Sequence, residues 1–177
     1  MVTTIRIDNQ GREAFKRSVV DKTVDLPTSN DHFQVFYHGT NHASAENITE
    51  CGIKLEGKSR RGLDFSDGNG FYVGDNFIDS LDQASLTDGY GEAVIVYRVD
   101  ARQLWEEMNG LDLRNNLEEW RRVVTEYRKS NLARRGRGES PDYDYRGKLA
   151  KFDFITGPWS KLRDRRILES LISVHPV

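Results

Sequence analysis

The seven residues AVIVYRV at positions 93–99 constrain the fold more than any other segment of the chain. They are mostly β-branched or apolar, a composition typical of a strand covered on both faces in the middle of a sheet. Two further segments rich in β-forming residues, 33–38 and 152–156, each end at a glycine. The tail at 167–174 predicts a last strand. The chain is therefore expected to contain a sheet with 93–99 at its centre.

Helices are expected between these strands, because apolar residues recur there at intervals of three and four. Asn76 and Asp100 precede two of the segments as capping residues. The predicted helices are 11–20, 42–51, 77–86, 101–108 and 116–130. Since they do not alternate regularly with strands, we expect an α+β fold with a mixed or antiparallel sheet. We predict a single domain over residues 1–177, with residues 1–30 as an N-terminal arm or helix.

Composition narrows the class of protein. The 177 residues suffice for one well-packed core, and 26 basic against 28 acidic residues argue against a protein that coats nucleic acid. The single cysteine, Cys51, excludes an internal disulfide, and we expect it to be a small buried hydrophobe. No apolar run approaches the roughly 20 residues that span a bilayer, and the first thirty residues lack the layout of a secretory signal. We therefore expect an intracellular, cytoplasmic protein away from the membrane, while export by a route without such a signal stays open.

The first candidate motif is FYHGT at 36–40, which places a histidine and a glycine at the end of a predicted strand. Gly39 has no Cβ, so a planar amide can approach its backbone N–H and C=O. His38 beside it can form a hydrogen bond with a sugar hydroxyl. A histidine at a strand end is more often structural, and that alternative stays open.

The second motif is the glycine-rich segment GLDFSDGNGFY at 62–72. It lacks the Gly-Lys-Ser/Thr of a P-loop and the glycine spacing of a Rossmann fold, and its acidic positions do not follow a calcium loop. The functional interpretation is a flexible run ending in Gly70 and Phe71, which delivers the Tyr72 ring onto a strand. There the ring can stack on a flat heteroaromatic ligand. The alternative is a surface loop that leads into a strand.

The third motif is FDFITGP at 152–158, in which Asp153 is the charged residue. A fixed carboxylate in a cleft shielded from water stabilises positive charge that develops in a transition state. In an ordinary strand the same residue is a solvent-facing charge, and the period-two alternation of a strand permits that alternative.

Together and in this order, the three motifs resemble those of the ADP-ribosyltransferase superfamily, the fold of the diphtheria-toxin and poly-ADP-ribose-polymerase type. They are most similar to an uncharacterised family with YHGT, DFG-x-GFY and D-x-I-x-GP motifs, and the resemblance covers about residues 33 to 160. It implies split mixed or antiparallel β-sheets with flanking helices. It also implies that NAD is the substrate.

The resemblance assigns a role to each matching residue. It implies that His38 bonds the adenosine-side ribose, that the Gly39 backbone holds the nicotinamide carboxamide, and that Thr40 shapes this turn. The Tyr72 ring would stack on nicotinamide, with Gly70 and Phe71 beside it in the binding segment. Where the superfamily has a glutamate at the start of the late strand, this chain has Asp153, one methylene shorter. The other carboxylates considered are Glu92 and Glu139.

The activity implied is that of a mono-ADP-ribosyltransferase, which cleaves the nicotinamide–ribose bond and transfers ADP-ribose to an acceptor. Two alternatives stay open: an NAD glycohydrolase with water as acceptor, and a catalytically silent module that binds NAD, ADP-ribose or a protein. The remaining histidines have no partners at metal-ligand spacing, so we expect no metal site. The basic segment Arg134 to Arg146 is expected to dock a macromolecular acceptor, protein or nucleic acid. A solvated loop is the alternative.

Overall fold

The computed structural model describes residues 2–7, 11–54, 70–87, 89–133, 140–160 and 174–175. The sequence predicted one domain, and the chain clusters into two compact units, each with a hydrophobic cluster of its own. Unit 1 comprises Met1–Lys54 and Phe71–Leu104, and unit 2 comprises Leu55–Gly70 and Trp105–Val177. Among the described residues, no helix has the length and apolar character required to cross a bilayer.

Unit 1 contains an antiparallel sheet of three strands. These are β1 (Val2–Ile7), β2 (Phe33–Asn41) and β3 (Glu92–Asp100), in the order β1-β3-β2. The central position predicted for 93–99 is confirmed, and Ala93, Val94 and Ile95 are fully buried. The sequence did not predict β1, which lies inside the segment interpreted as an N-terminal arm.

Three helices of unit 1 match the predicted segments: α1 (Arg12–Val20), α2 (His42–Cys51) and α3 (Phe77–Ala84). Asn41 caps α2 by accepting a hydrogen bond from the Ser44 amide at 2.8 Å, and Asn76 caps α3 in the same way. The expected burial of Cys51 is wrong, because this side chain is exposed.

The two faces of this sheet carry different helices. Val35, Tyr37 and Val94 face one side, where they pack with Phe77 and Leu81 of α3 and with partly buried residues of α1. On the other side Ala93 and Ile95 pack with Ala45 of α2. Because strand residues alternate between faces, every β2 and β3 side chain belongs either to the α1/α3 face or to the α2 face.

Unit 2 is built around a short parallel pair, β4 (Gly110–Asp112) and β5 (Phe154–Thr156). Helices α4 (Leu117–Ala133) and α5 (Tyr143–Leu149) supply most of its cluster, with the Trp120 indole N–H donating to the Pro158 carbonyl at 2.8 Å. The remaining strands, β6 (Trp159–Ser160) and β7 (Val174–His175), form an antiparallel pair. An α+β fold with antiparallel and parallel strands and flanking helices is thus confirmed, while most of the predicted strand 167–174 lies outside the described residues.

Candidate functional site

His38 is held in one orientation on the α2 face of β2. Its Nδ1 lies 2.7 Å from the Tyr72 carbonyl oxygen, and its ring stacks on Phe71 with centroids 4.3 Å apart and planes 30° apart. A carbonyl oxygen only accepts, so the bond assigns the proton to Nδ1 and leaves Nε2 as an acceptor in the neutral ring. The histidine can therefore receive a hydrogen bond from a hydroxyl.

The pKa of His38 lies below its ordinary value. Burial is the larger cause and lowers it, because desolvation disfavours the charged imidazolium; the bond to the Tyr72 carbonyl opposes this effect. The acceptor form at Nε2 consequently persists to lower pH than in an exposed histidine.

This lowered pKa predicts a loss of stability in acid. Below the ordinary pKa of 6.5, His38 is protonated in the unfolded chain but stays neutral in the folded protein. The free energy of unfolding is therefore unaffected by this group above that pH. It falls as the pH drops toward the pKa of folded His38, by at most about 1.4 kcal/mol per pH unit. Thermal unfolding midpoints measured across this range should fall less for His38→Asn than for the wild type. His32→Asn, at an exposed histidine, is the control; a wild-type slope in His38→Asn would refute the assignment.

The backbone groups of Gly39 point away from β3, toward the edge of β2 that Gly74 contacts. The Tyr37 N–H and C=O both bond to Gly74, at 2.7 and 2.9 Å, on the side away from β3. The β2–β3 register runs without a bulge, so backbone directions alternate and Gly39 repeats the direction of Tyr37. Among the described residues, neither Gly39 group has a hydrogen-bonding partner, although the residue is buried.

Position 39 requires glycine for a different reason from the one that the sequence suggested. A Cβ there would lie 1.7 Å from the Ser80 carbonyl oxygen and 2.9 Å from the Ala84 nitrogen, so glycine is required by the close approach of α3. Ser80 is also buried, and its hydroxyl donates to the Tyr37 carbonyl at 3.3 Å. Sequence reasoning missed Ser80, since no local pattern brings α3 against the end of β2.

The ring that packs against His38 belongs to Phe71, whereas the sequence directed attention to the ring of Tyr72. Tyr72 contributes its carbonyl to His38 and has a half-buried side chain. Gly70 precedes this pair, and Thr40, on the same face as His38, is buried. The rest of the second motif, residues 62–69, lies outside the described residues.

The candidate carboxylates occupy different places. Glu92 projects on the α1/α3 face, opposite to His38, and its Oε2 lies 3.0 Å from the Arg12 Nε. Asp153, in unit 2, is exposed and directly precedes β5; its Oδ2 accepts a hydrogen bond from the Asn109 amide at 2.8 Å. Glu139 lies outside the described residues. Glu92 therefore faces away from His38.

The basic segment divides into two parts. Arg134, Arg135 and Arg137 lie outside the described residues, whereas Arg146 belongs to α5, with its guanidinium 5.3 Å from the Tyr127 ring centroid. Arg146 therefore packs against a helix and is not part of a loop. In the described part of the chain, no group of three or more metal-ligand side chains is brought together.

The structure thus brings His38, Gly39, Thr40, Phe71 and Tyr72 together in unit 1. Comparison with family models, with curated proteins and with solved structures found no match for this chain.

Proposed function

We propose that the protein binds NAD, cleaves its nicotinamide–ribose bond and transfers ADP-ribose to an acceptor. The observation that carries this proposal is the buried edge of β2 at Gly39, where a backbone donor and a backbone acceptor lie side by side with no partner among the described residues. His38 lies next to that edge and is oriented by its hydrogen bond to the Tyr72 carbonyl.

A primary carboxamide matches this edge. It offers an N–H donor and a C=O acceptor in one plane, the complement of a single residue's C=O and N–H. Buried backbone groups in folded proteins are nearly always paired, and leaving one unpaired costs about 1–3 kcal/mol. The nicotinamide carboxamide would satisfy both Gly39 groups at once.

The remaining residues of the site fit the same ligand. The Nε2 of His38 accepts a hydrogen bond from a hydroxyl of the adenosine-side ribose. Tyr72 stacks on the nicotinamide ring, and Gly70 gives its segment freedom. No turn follows Gly39, because β2 continues to Asn41, so buried Thr40 extends the strand beyond the proposed carboxamide site. These roles follow the resemblance to ADP-ribosyltransferases, and the bond between His38 and the Tyr72 carbonyl supports them by linking the two segments.

The reaction breaks one bond and forms one. The electron pair of the C–N glycosidic bond leaves with nicotinamide, so positive charge develops on the ribose, as in glycoside hydrolysis. By the resemblance, the stabilising carboxylate is that of Asp153. Glu92 faces the side of its sheet opposite to His38. The acceptor's lone pair then attacks the sugar carbon, and the acceptor loses its proton.

A macromolecular acceptor is the first choice, docked by the arginines at 134–137, with water as the alternative acceptor. A silent NAD-binding module is favoured by one specific observation: an oxygen of the Asp153 carboxylate is already bonded to the Asn109 amide. Such a bond is sufficient to explain an aspartate at this position without catalysis.

Incubation of the purified protein with NAD tests these functions. A transferase labels a macromolecule in a cell extract and releases nicotinamide. A glycohydrolase releases nicotinamide without any acceptor. NAD binding measured by calorimetry without nicotinamide release identifies a silent module, and the absence of both binding and release would refute the proposal.

A further inference from the structure

Tyr97 has a buried hydroxyl that the fold does not use. The oxygen is shielded from solvent and has no hydrogen-bonding partner among the described residues. Because an unpaired buried hydroxyl is costly and few persist in a native structure, each needs a specific explanation. Phenylalanine would fill the same space without that cost.

The hydroxyl belongs to the cluster of rings that includes His38. Tyr97 stands opposite Phe36 in the β2–β3 register, and His38 stands opposite Ile95, so Tyr97 and His38 are diagonal neighbours on the α2 face. Such neighbours are about 7–8 Å apart, within reach of aromatic side chains. The Phe71 ring touches both: it stacks on His38 and meets Tyr97 edge to face at 5.7 Å.

Phe71 is the side chain whose movement would uncover both groups, because it contacts both. A turn of this ring away from β2 would expose the His38 and Tyr97 rings on the α2 face together. Burial raises the pKa of Tyr97 above its ordinary value, so the phenol stays protonated and remains a donor throughout the neutral range.

We propose that the Tyr97 hydroxyl is a ligand-binding group that donates a hydrogen bond to the adenosine half of NAD once Phe71 has moved aside. The inference rests on the proposed function and adds a residue to that site. The strand register indicates which half of NAD this hydroxyl contacts. Tyr97 lies opposite Phe36, three residues and about 10 Å along β2 from Gly39. Gly39 is the proposed position of nicotinamide. The hydroxyl therefore faces the part of the dinucleotide remote from nicotinamide.

The test uses Tyr97→Phe, with Thr4→Val as a matched control. The Thr4 hydroxyl is likewise buried without a partner, but Thr4 lies on β1, across β3 from β2. Both substitutions remove an unsatisfied hydroxyl, so each should raise the thermal unfolding midpoint by about 2–4 °C. Only Tyr97→Phe should weaken NAD binding measured by calorimetry, by about fivefold to tenfold, the usual contribution of one hydrogen bond.

Two fragments of NAD locate the contact. ADP-ribose, which keeps the adenosine half, should lose affinity for Tyr97→Phe by the same factor as NAD, while nicotinamide mononucleotide should bind both proteins equally. Unchanged NAD affinity in Tyr97→Phe, or an equal loss in Thr4→Val, overturns the inference and leaves the proposed function standing. An equal loss for the mononucleotide overturns the assignment to the adenosine half. A wild-type protein that binds no NAD removes the proposed function and this inference with it.

Discussion

Gly39→Ala is expected to destabilise the fold by about 3 kcal/mol or more and to abolish NAD binding as a consequence. The new Cβ would lie 1.7 Å from the Ser80 carbonyl oxygen and 2.7 Å from its carbon, both backbone atoms of a helix. Backbone cannot turn aside as a flexible side chain does, so β2 and α3 must separate. Overpacking usually costs about 1–3 kcal/mol, and a clash with backbone belongs at the upper end or beyond. Chemical denaturation followed by circular dichroism measures the loss.

Gly147→Ala is the matched control for this substitution. Gly147 lies inside α5, and a Cβ there would meet no atom within 4 Å. Alanine in a helix interior is favoured over glycine, so this variant should be more stable by about 0.5–1 kcal/mol. A Gly39→Ala protein of wild-type stability that no longer binds NAD would instead show that the ligand, and not α3, requires the glycine.

Asp153→Asn is expected to lower nicotinamide release at saturating NAD by at least about tenfold, with NAD affinity and stability nearly unchanged. In the proposed reaction an amide cannot offset the positive charge that develops on the ribose, and a tenfold loss corresponds to about 1.4 kcal/mol of transition-state stabilisation. The asparagine side-chain oxygen can still accept the hydrogen bond from the Asn109 amide, so the local structure before β5 is retained. The measurement is a comparison of initial rates for the two proteins.

Two further variants separate chemistry from structure at this position. Asp153→Ala removes the charge and the side-chain bond to the Asn109 backbone N–H, while the bond from the Asp153 backbone N–H to the Asn109 carbonyl remains. It should cost about 1 kcal/mol of stability in addition to the lost turnover. Asp112→Asn, at an exposed carboxylate on neighbouring β4 that pairs with Arg114, should keep the wild-type rate. If Asp153→Asn releases nicotinamide as fast as the wild type, Asp153 serves the fold alone and Glu139 becomes the next carboxylate to substitute.

Local patterns predicted most elements of unit 1. The apolar run at 93–99 identified the central strand, and the capping residue Asn76 located the start of α3, because both signals depend only on neighbouring residues. The sequence did not predict β1 because the alternation of polar and apolar residues in VTTIRI covers only Thr4 to Ile7. Its status as a strand depends on pairing with β3, about ninety residues away.

The candidate site was predicted in part. The sequence selected His38 and Gly39 as neighbours, and the structure adds that the Gly39 backbone faces the edge of β2 opposite to β3. The sequence could not indicate that the ring packed on His38 belongs to Phe71 and not to Tyr72. That choice depends on how a segment more than thirty residues later crosses the strand.

The error at Cys51 has a geometric cause. Steps of three residues from Ala45 to Ile48 to Cys51 drift backwards on a helix of 3.6 residues per turn, so the third position stands about 120° from the first. Ala45 is fully buried and Cys51 is exposed, as that drift requires. A spacing of three alone overstates how wide the buried face of a helix is.

The division of the chain into two units determines what optical spectroscopy can detect. All three tryptophans, Trp105, Trp120 and Trp159, belong to unit 2, so indole emission originates there and reports nothing directly on unit 1, which holds His38 and Gly39. An unfolding curve recorded by indole emission follows the environment of residues such as the fully buried Trp120. Far-ultraviolet circular dichroism, by contrast, averages over both units. Midpoints that differ between the two signals would reveal separate melting of the units, and coincident midpoints would show one cooperative transition.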